Sequence, residues 1–326
     1  MPLERAGIPF FNREGKMYLV SVFWKRQARE ALKNHWLTGL LIALIVNLPS
    51  LLVQGIAAAT GNDLLSRITG VLYSAISAGG TTVDAAALAA GLQELEGSTG
   101  IWIMQGLNVA AWLLTPCLTI GMIHWLLQLL RKQDAGDVTA VFSRIGLFFK
   151  GIGLRLYVAL RVFLWILPGL ALNAAAFLPL WLSDSSSRIS VLSAANTAVG
   201  LQSAAMIVTV ALGIMAALKY ALGDMILADS PEKGPVQAAK ESKARMQKKR
   251  GMLFSLYLSF VLWYLLETLV TSVVMDMFGS IPGLMTEMLC SLAITVYLHA
   301  SVSAFYLTTL AEKTGNAESE TGGIPV

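Results

Sequence analysis

The chain has 326 residues, of which 56% are apolar and only 13% charged, with a mean hydropathy of +0.65 and a formal net charge of +4. Ordinary soluble domains carry about 25% charged residues, so this composition excludes a water-soluble globular protein. It indicates an integral membrane protein.

Six apolar runs are long enough to cross a bilayer, whose hydrocarbon core requires about 20 helical residues. No run has the short alternating pattern of a membrane β-barrel, so the backbone must be satisfied within helices. We therefore predict an all-α integral membrane protein with six spans, at residues 37–59, 101–130, 155–182, 199–228, 252–277 and 286–311. The first run lacks a small-residue cleavage site, which indicates a retained span and not a removable signal peptide.

The segment before span one, residues 1–36, is basic and is predicted to be amphipathic. Its basic residues closest to the span are Lys25, Arg26, Arg29 and Lys33. After span one, residues 60–100 form a long outer segment with two stretches of helical periodicity. These two helices would either lie on the membrane surface or dip into the bundle.

Three asparagines fall inside the predicted spans: Asn47, which lies two residues before Pro49, Asn108 and Asn173. A proline frees a backbone carbonyl and kinks its helix, so an unwound polar spot is one interpretation. The commoner use of such asparagines is hydrogen bonding between helices.

The loop 229–251 is the most basic part of the chain. Ser230–Pro231 should end the preceding helix, and Gly234–Pro235 should start a short interfacial helix that leads into span five. Its candidate lipid- or partner-binding residues are Lys240, Lys243, Arg245, Lys248, Lys249 and Arg250. Each basic residue near an anionic leaflet contributes about 1 kcal/mol to binding, although a plain topology signal would explain the same pattern.

The distribution of positive charge predicts the orientation. Of the 24 Lys and Arg, all but Arg67 and Arg188 fall on one side of a six-span topology. Because cytoplasmic loops carry the excess of Lys and Arg, we predict that both termini are cytoplasmic. The tail 312–326 is polar and is expected to be disordered.

The chain also suggests three repeated units, each a basic helix followed by a hairpin of two spans. Leu32 before span one occupies the position that Met246 occupies before span five. A weaker copy, with Arg144 and Lys150, precedes span three. Any span that starts from the inside needs preceding basic residues, so coincidence would also explain the pattern.

Several motifs together resemble a known family. They are "AREALKNHW" before span one, "YALGDMILADSP" and "AKESKARMQKKRG" between spans four and five, and "LFSLYLSFVLW" in span five. The most specific residues are Ala28, Arg29, Ala31, Leu32, Trp36, Tyr220, Ala228, Asp229, Pro231, Ser242, Met246, Lys249, Phe254, Leu258, Ser259, Phe260, Trp263, Phe305, Tyr306 and Leu310. This pattern resembles the bacterial multipass membrane family known as domain of unknown function 975. The resemblance implies a bacterial cytoplasmic-membrane protein of several helices and implies no activity.

Two ionisable residues lie deep in the predicted spans. Glu267 is about 22 Å, and His299 about 18 Å, from the cytoplasmic ends of spans five and six. Intramembrane ionisable groups are candidate functional sites, and a Glu/His pair on neighbouring helices could carry a proton. A structural hydrogen bond, or a Glu267 that faces a water-filled vestibule, is the plainer interpretation.

The sequence contains no motif for a catalytic nucleophile, a metal site or a nucleotide cradle, so we expect no enzyme, cofactor, metal or nucleic-acid partner. Cys117 and Cys290 are expected to be small buried residues. Two functions remain open: a membrane scaffold or biogenesis factor that binds lipid, a partner protein or another copy of itself, and a transporter of solutes, ions or lipids.

Overall fold

The computed structural model describes residues 17–61, 64–79, 90, 91, 93–95, 97–176, 178 and 188–321. Within these ranges every regular element is a helix, and six helices are long and apolar enough to cross a membrane. The prediction of an all-α protein with six spans is therefore confirmed.

The helices of the described residues are numbered in chain order. They are α1 (Met17–Leu32), α2 (Trp36–Thr60), α3 (Leu64–Gly79), α4 (Thr99–Leu130), α5 (Phe148–Ala175), α6 (Arg188–Tyr220), α7 (Gly223–Asp229), α8 (Pro235–Arg245), α9 (Arg250–Phe278) and α10 (Ser280–Thr321). A 3-10 helix, Val138–Leu147, precedes α5. The six spans belong to α2, α4, α5, α6, α9 and α10.

The bounds differ from the sequence prediction mainly at four places. The predicted span 199–228 is divided between α6, which ends at Tyr220, and α7, which begins at Gly223. Span three begins before residue 155, because α5 starts at Phe148. Helix α10 continues to Thr321, so residues 312–321 of the tail are helical where the sequence predicts disorder. The predicted helix in residues 81–97 falls largely outside the described residues, whereas α3 occupies the first part of the segment 60–100.

Three aromatic residues from three spans lie at one level. The Tyr297 ring packs against Trp36, at a centroid distance of 6.3 Å, and against Phe260, at 5.3 Å. Trp36 is the first residue of α2, so this level marks one end of the apolar bundle. Aromatic rings are enriched at membrane interfaces, and we call this end the basic end because the basic segments α1 and α8 adjoin it.

The buried core lies mainly at the basic end. Phe305, Tyr306, Met246 and Leu256 are almost fully buried there. Helices α4 and α10 form the centre of the bundle. In the most apolar part of each span, 61% of α4 and 56% of α10 are buried, against 6% of span three and 11% of α9. The protein therefore has a well-packed layer at its basic end, and beyond it span three and α9 are mostly exposed.

The turn from α1 to α2 and the turn from α8 to α9 share one geometry. The side chains of Leu32 and Met246 are both 0% exposed. The His35 N–H donates to the Leu32 carbonyl at 2.9 Å, and the Lys249 N–H donates to the Met246 carbonyl at 3.3 Å. The correspondence that the sequence suggests between Leu32 and Met246 thus extends to the backbone.

Each of the three short basic-end helices packs against the end of an even-numbered span. Helix α1 contacts α10, where Trp24 meets Phe305 edge-on at 4.8 Å. The 3-10 helix contacts α4 so closely that a Cβ on Gly121 would collide with the Val141 carbonyl. Helix α8 contacts the end of α6 through Ser242, whose hydroxyl is fully buried. Helix α8 also packs against α5 and α7. Each of these contacts joins a short helix to a span outside its own predicted unit, so the threefold repeat stays a prediction.

Candidate functional site at the basic end

The ten basic residues proposed from the sequence fall into two groups. Six of them are exposed: Arg26, Arg29, Lys33, Lys240, Lys243 and Lys248. The other four are partly buried: Lys25, Arg245, Lys249 and Arg250. Only the exposed group is free to meet a headgroup without leaving the packed layer, and we call it the basic surface.

Lys25 holds α1 against α9. Its ammonium donates to the Ser259 carbonyl at 3.1 Å and lies 4.2 Å from the centre of the Phe260 ring. Its backbone carbonyl accepts a hydrogen bond from the Tyr297 hydroxyl at 3.2 Å. Burial, followed by the positive charge of Arg29, lowers the pKa of Lys25. These contacts assign Lys25 a structural role.

Asp229 joins three helices at the basic end. Its carboxylate lies 2.7 Å from the Arg131 guanidinium at the end of α4, and it accepts a hydrogen bond from the Tyr306 hydroxyl of α10 at 3.0 Å. The hydrogen bond to Asp229 raises the pKa of Arg131. Both oxygens of Asp229 are therefore occupied, which indicates a structural junction.

A second carboxylate, Glu241 of α8, continues the network. It lies 2.7 Å from Lys233 and 2.5 Å from Arg245, whose guanidinium stacks 5.1 Å from the centre of the Tyr306 ring. Burial opposes ionisation of Glu241, but the hydrogen bonds from Lys233 and Arg245 outweigh it and hold the pKa of this carboxyl below its usual value. The network thus runs continuously from α4 to α8.

Sequence reasoning missed His124 and Arg144, which meet beside this network. The Arg144 Nη2 atom lies 3.3 Å from Nδ1 and 3.4 Å from Nε2 of His124. The charges of Asp229 and Arg131 also act on the His124 ring. The sequence signal for this contact was a histidine in the last two turns of a span. Its partner could not be identified from the sequence, because Arg144 is 20 residues away on a different element.

The structure does not bring Glu267 and His299 together. His299 lies two residues from Tyr297 toward the basic end, and Glu267 lies seven residues from Phe260 in the opposite direction. Nine helical residues, or about 13 Å, therefore separate their levels. The similar distances from the predicted span ends, about 22 and 18 Å, do not correspond to similar depths in the bundle, because α10 continues far beyond the aromatic level on the basic side.

His299 instead belongs to a cluster with Asp224. The charge of Asp224, on α7, acts on His299, on Tyr257 of α9 and on Arg155 of α5. His299 Nδ1 lies 2.9 Å from the Thr295 carbonyl, so the Nε2 atom remains for other partners. The charged neighbour of Glu267 is Glu287, a second carboxylate. Asp224 was visible in the sequence as an acid within an apolar run, and sequence reasoning did not select it.

The three asparagines have different roles. The Asn47 and Asn108 amides donate to carbonyls one turn earlier in their own helices, at 2.8 and 3.1 Å. Asn173 donates to the Thr209 hydroxyl at 2.8 Å and accepts a hydrogen bond from the Gln202 amide at 2.7 Å. Asn173 therefore joins α5 to α6, the interhelical use that is common in membranes.

The described residues contain no group of three or more His, Cys, Asp or Glu side chains that could hold a metal ion. What the basic end offers is a rigid, hydrogen-bonded layer with cations exposed on α1 and α8. Such a layer can present charge to a membrane surface.

The family model described as protein of unknown function, DUF975, matches residues 21–313. The chain belongs to the DUF975 family. No curated protein and no solved structure matches the chain. The DUF975 match includes the basic-end layer, from α1 through Asp229 and Tyr306, together with all six spans. Membership supports a multipass membrane protein, and the family description assigns no activity.

Proposed function

We propose that this DUF975 protein is a non-enzymatic membrane scaffold or biogenesis factor that gathers anionic lipid at its basic surface. The proposal places the protein in the bacterial cytoplasmic membrane with the basic end, and both termini, in the cytoplasm. Partner proteins or further copies of the chain would then assemble on that lipid-rich patch.

One observation carries the proposal: packing and exposed positive charge coincide at one end of the molecule. The packed layer holds Asp229, Glu241 and their cationic partners in ion pairs. Lys240 and Lys243 of α8 stay exposed beside it. Because the acidic groups of the network are already paired with other cations, they do not neutralise Lys240 and Lys243, which can therefore bind anionic headgroups.

The test measures lipid enrichment around the full chain. The protein is reconstituted in vesicles of mixed phosphatidylglycerol and phosphatidylcholine and extracted with a styrene–maleic acid polymer, and the retained lipid is analysed by mass spectrometry. Wild type should retain phosphatidylglycerol in excess over the vesicle average. The triple variant Lys240→Glu/Lys243→Glu/Lys248→Glu should lose most of this excess, since each cation contributes about 1 kcal/mol.

Compared with the single variant Lys240→Glu, which reverses one charge on the basic surface, Arg67→Glu controls for net charge, because Arg67 belongs to α3 and lies on the opposite side in the predicted topology. It should keep the enrichment. If wild type shows no excess of phosphatidylglycerol, or if both variants lose it equally, the basic surface does not gather anionic lipid.

A second candidate, proton-linked transport, is favoured by the cluster of Asp224, His299 and Tyr257. Intramembrane ionisable groups that influence one another are typical of proton relays. Proteoliposomes with an internal pH-sensitive dye would test it: Asp224→Asn should abolish proton flux, whereas Glu267→Gln, outside the cluster, should not. A folded wild type without flux would reject this candidate.

A further inference from the structure

Two cations lie at one level on neighbouring spans. The Tyr157 and Tyr220 rings lie at a centroid distance of 6.5 Å, and the Asn173 amide donates a hydrogen bond to the Thr209 hydroxyl. These two contacts make α5 and α6 antiparallel. They place Arg161 opposite the turn that contains Lys219. Arg161 lies one turn, about 6 Å, beyond Tyr157 in the direction away from the basic end. Arg161 therefore lies about one turn inside its span and Lys219 near the end of α6, where a cation removed from water needs a partner.

Neither cation has an acidic partner in the part of the chain that the structure describes. Among the described residues, Arg161 and Lys219 take part in no ion pair. The Arg161 guanidinium contacts Tyr157, as a donor to its hydroxyl at 3.2 Å, and the Lys219 ammonium lies 3.1 Å from the centre of the Trp165 ring. The charges that act on Lys219 are Arg250 and Lys243, both positive.

Lys219 is held in an unusual direction. A lysine near a span end normally extends toward the interface, but the 7% exposed Lys219 reaches along the bundle to Trp165, away from the basic end. Its ammonium is thus fixed beside the same ring that lines the groove described next.

A groove of about 280 Å³ begins at Arg161, and the Lys219 ammonium lies on the ring of Trp165, one of its wall residues. It is lined by Arg161, Leu164, Trp165, Pro168 and Leu212. Along α5 the charged residue comes first and the apolar residues follow over the next two turns, away from the basic end. This order matches a phospholipid, whose phosphate lies at the interface and whose acyl chain extends toward the bilayer centre.

We infer that the groove between α5 and α6 binds one anionic glycerophospholipid, with its phosphate at the Arg161 guanidinium and an acyl chain along Leu164, Pro168 and Leu212. The Lys219 ammonium, on the wall residue Trp165, adds a second positive charge next to the groove. The groove shares no lining residue with the basic surface. The inference deepens the proposed function and rests on it only for the class of ligand. Trp165 positions the Lys219 ammonium by cation–π contact. An intact lipid is the occupant, because a free phosphate would leave the apolar part of the groove unused.

The experiment is native mass spectrometry of the delipidated full chain titrated with dioleoyl phosphatidylglycerol, with dioleoyl phosphatidylcholine as the neutral comparison. Wild type should retain one phosphatidylglycerol in preference to phosphatidylcholine. Arg161→Gln should weaken retention about tenfold, the expected effect of losing one charge-assisted hydrogen bond, and Arg161→Lys should restore part of it. Because Arg161 is exposed, these variants should fold; Lys219→Met provides a second, length-matched test.

The variant Lys240→Gln/Lys248→Gln separates this site from the basic surface and should keep the single tight lipid, because neither residue is among the charges that act on Lys219. If Arg161→Gln and Lys219→Met, both folded, still retain it, or if phosphatidylcholine is retained equally, the inference is overturned while enrichment at the basic surface can stand. Displacement by an equal concentration of sn-glycerol 3-phosphate would also overturn it, because the headgroup alone would then suffice.

Discussion

Asp229 shows how much one residue of this protein can hold together. The family-like motif "LADSP" marks it in the sequence, and the structure shows why it matters: its two oxygens serve Arg131 on α4 and Tyr306 on α10. No local pattern connects residues 131, 229 and 306, so only the folded chain could reveal the junction. Lys25 is the opposite case, since its position in a basic segment predicted a surface role and its contacts are internal.

The substitution Asp229→Asn should destabilise the protein by about 1–2 kcal/mol, because it removes the ion pair and leaves the Arg131 charge unpaired. The loss is limited because the Arg131 side chain is 34% exposed and solvent partly screens its charge. The thermal unfolding midpoint in detergent should fall by several degrees. Glu30→Gln breaks the ion pair of Arg26, which is 79% exposed, with Glu30, which is 66% exposed. This control should change the unfolding midpoint little. Equal midpoints for the two variants would contradict the junction role.

At the scale of elements, the short basic-end helices determine how the spans begin. Gly234–Pro235 predicts the start of α8, and the structure has Gly234 as the N-cap residue with Pro235 as the first helical residue. The 3-10 helix was not predicted, because its docking depends on the absence of a side chain at Gly121 on another helix. Periodicity reports which face of a helix is apolar, but it does not report how closely that face approaches its neighbour.

Two glycine substitutions in α4 test this contact. Gly121→Ala should destabilise the protein by about 2 kcal/mol, since the new methyl group would collide with the Val141 backbone and force α4 and the 3-10 helix apart. Gly106→Ala, in the same helix but facing open space, should be neutral or stabilising by up to about 1 kcal/mol. Thermal unfolding in one detergent compares them. A Gly121→Ala variant as stable as Gly106→Ala would show that the close contact does not form.

At the scale of the whole molecule, charge and packing are both polarised. The packed layer and the basic surface share one end, while the far halves of α5, α6 and α9 keep large apolar side chains exposed, Phe163, Ile207 and Leu269 among them. Lipid is the natural solvent for those faces. The orientation of this polarised bundle stays a prediction from the distribution of Lys and Arg.

Cysteine labelling tests the orientation in a Cys117→Ala/Cys290→Ala background. A membrane-impermeant maleimide should label Lys240→Cys only in inverted vesicles and Gly97→Cys only in intact cells, because the basic loop should face the cytoplasm. Both positions are exposed in the structure. The reverse labelling pattern would place the basic end outside and would remove the cytoplasmic leaflet from the proposed function.

The sequence by itself determined the class of protein, the number of spans, the short helix before span five and the family resemblance. These features depend on local composition and periodicity, which each segment carries alone. Tertiary structure decided which ionisable groups meet: Asp229 with Tyr306, Asp224 near His299, and Lys219 on Trp165. The sequence-based pairing of Glu267 with His299 assumed that span ends are level. Helix packing sets the relative height of neighbouring spans, and in this protein α10 extends beyond the aromatic level at the basic end.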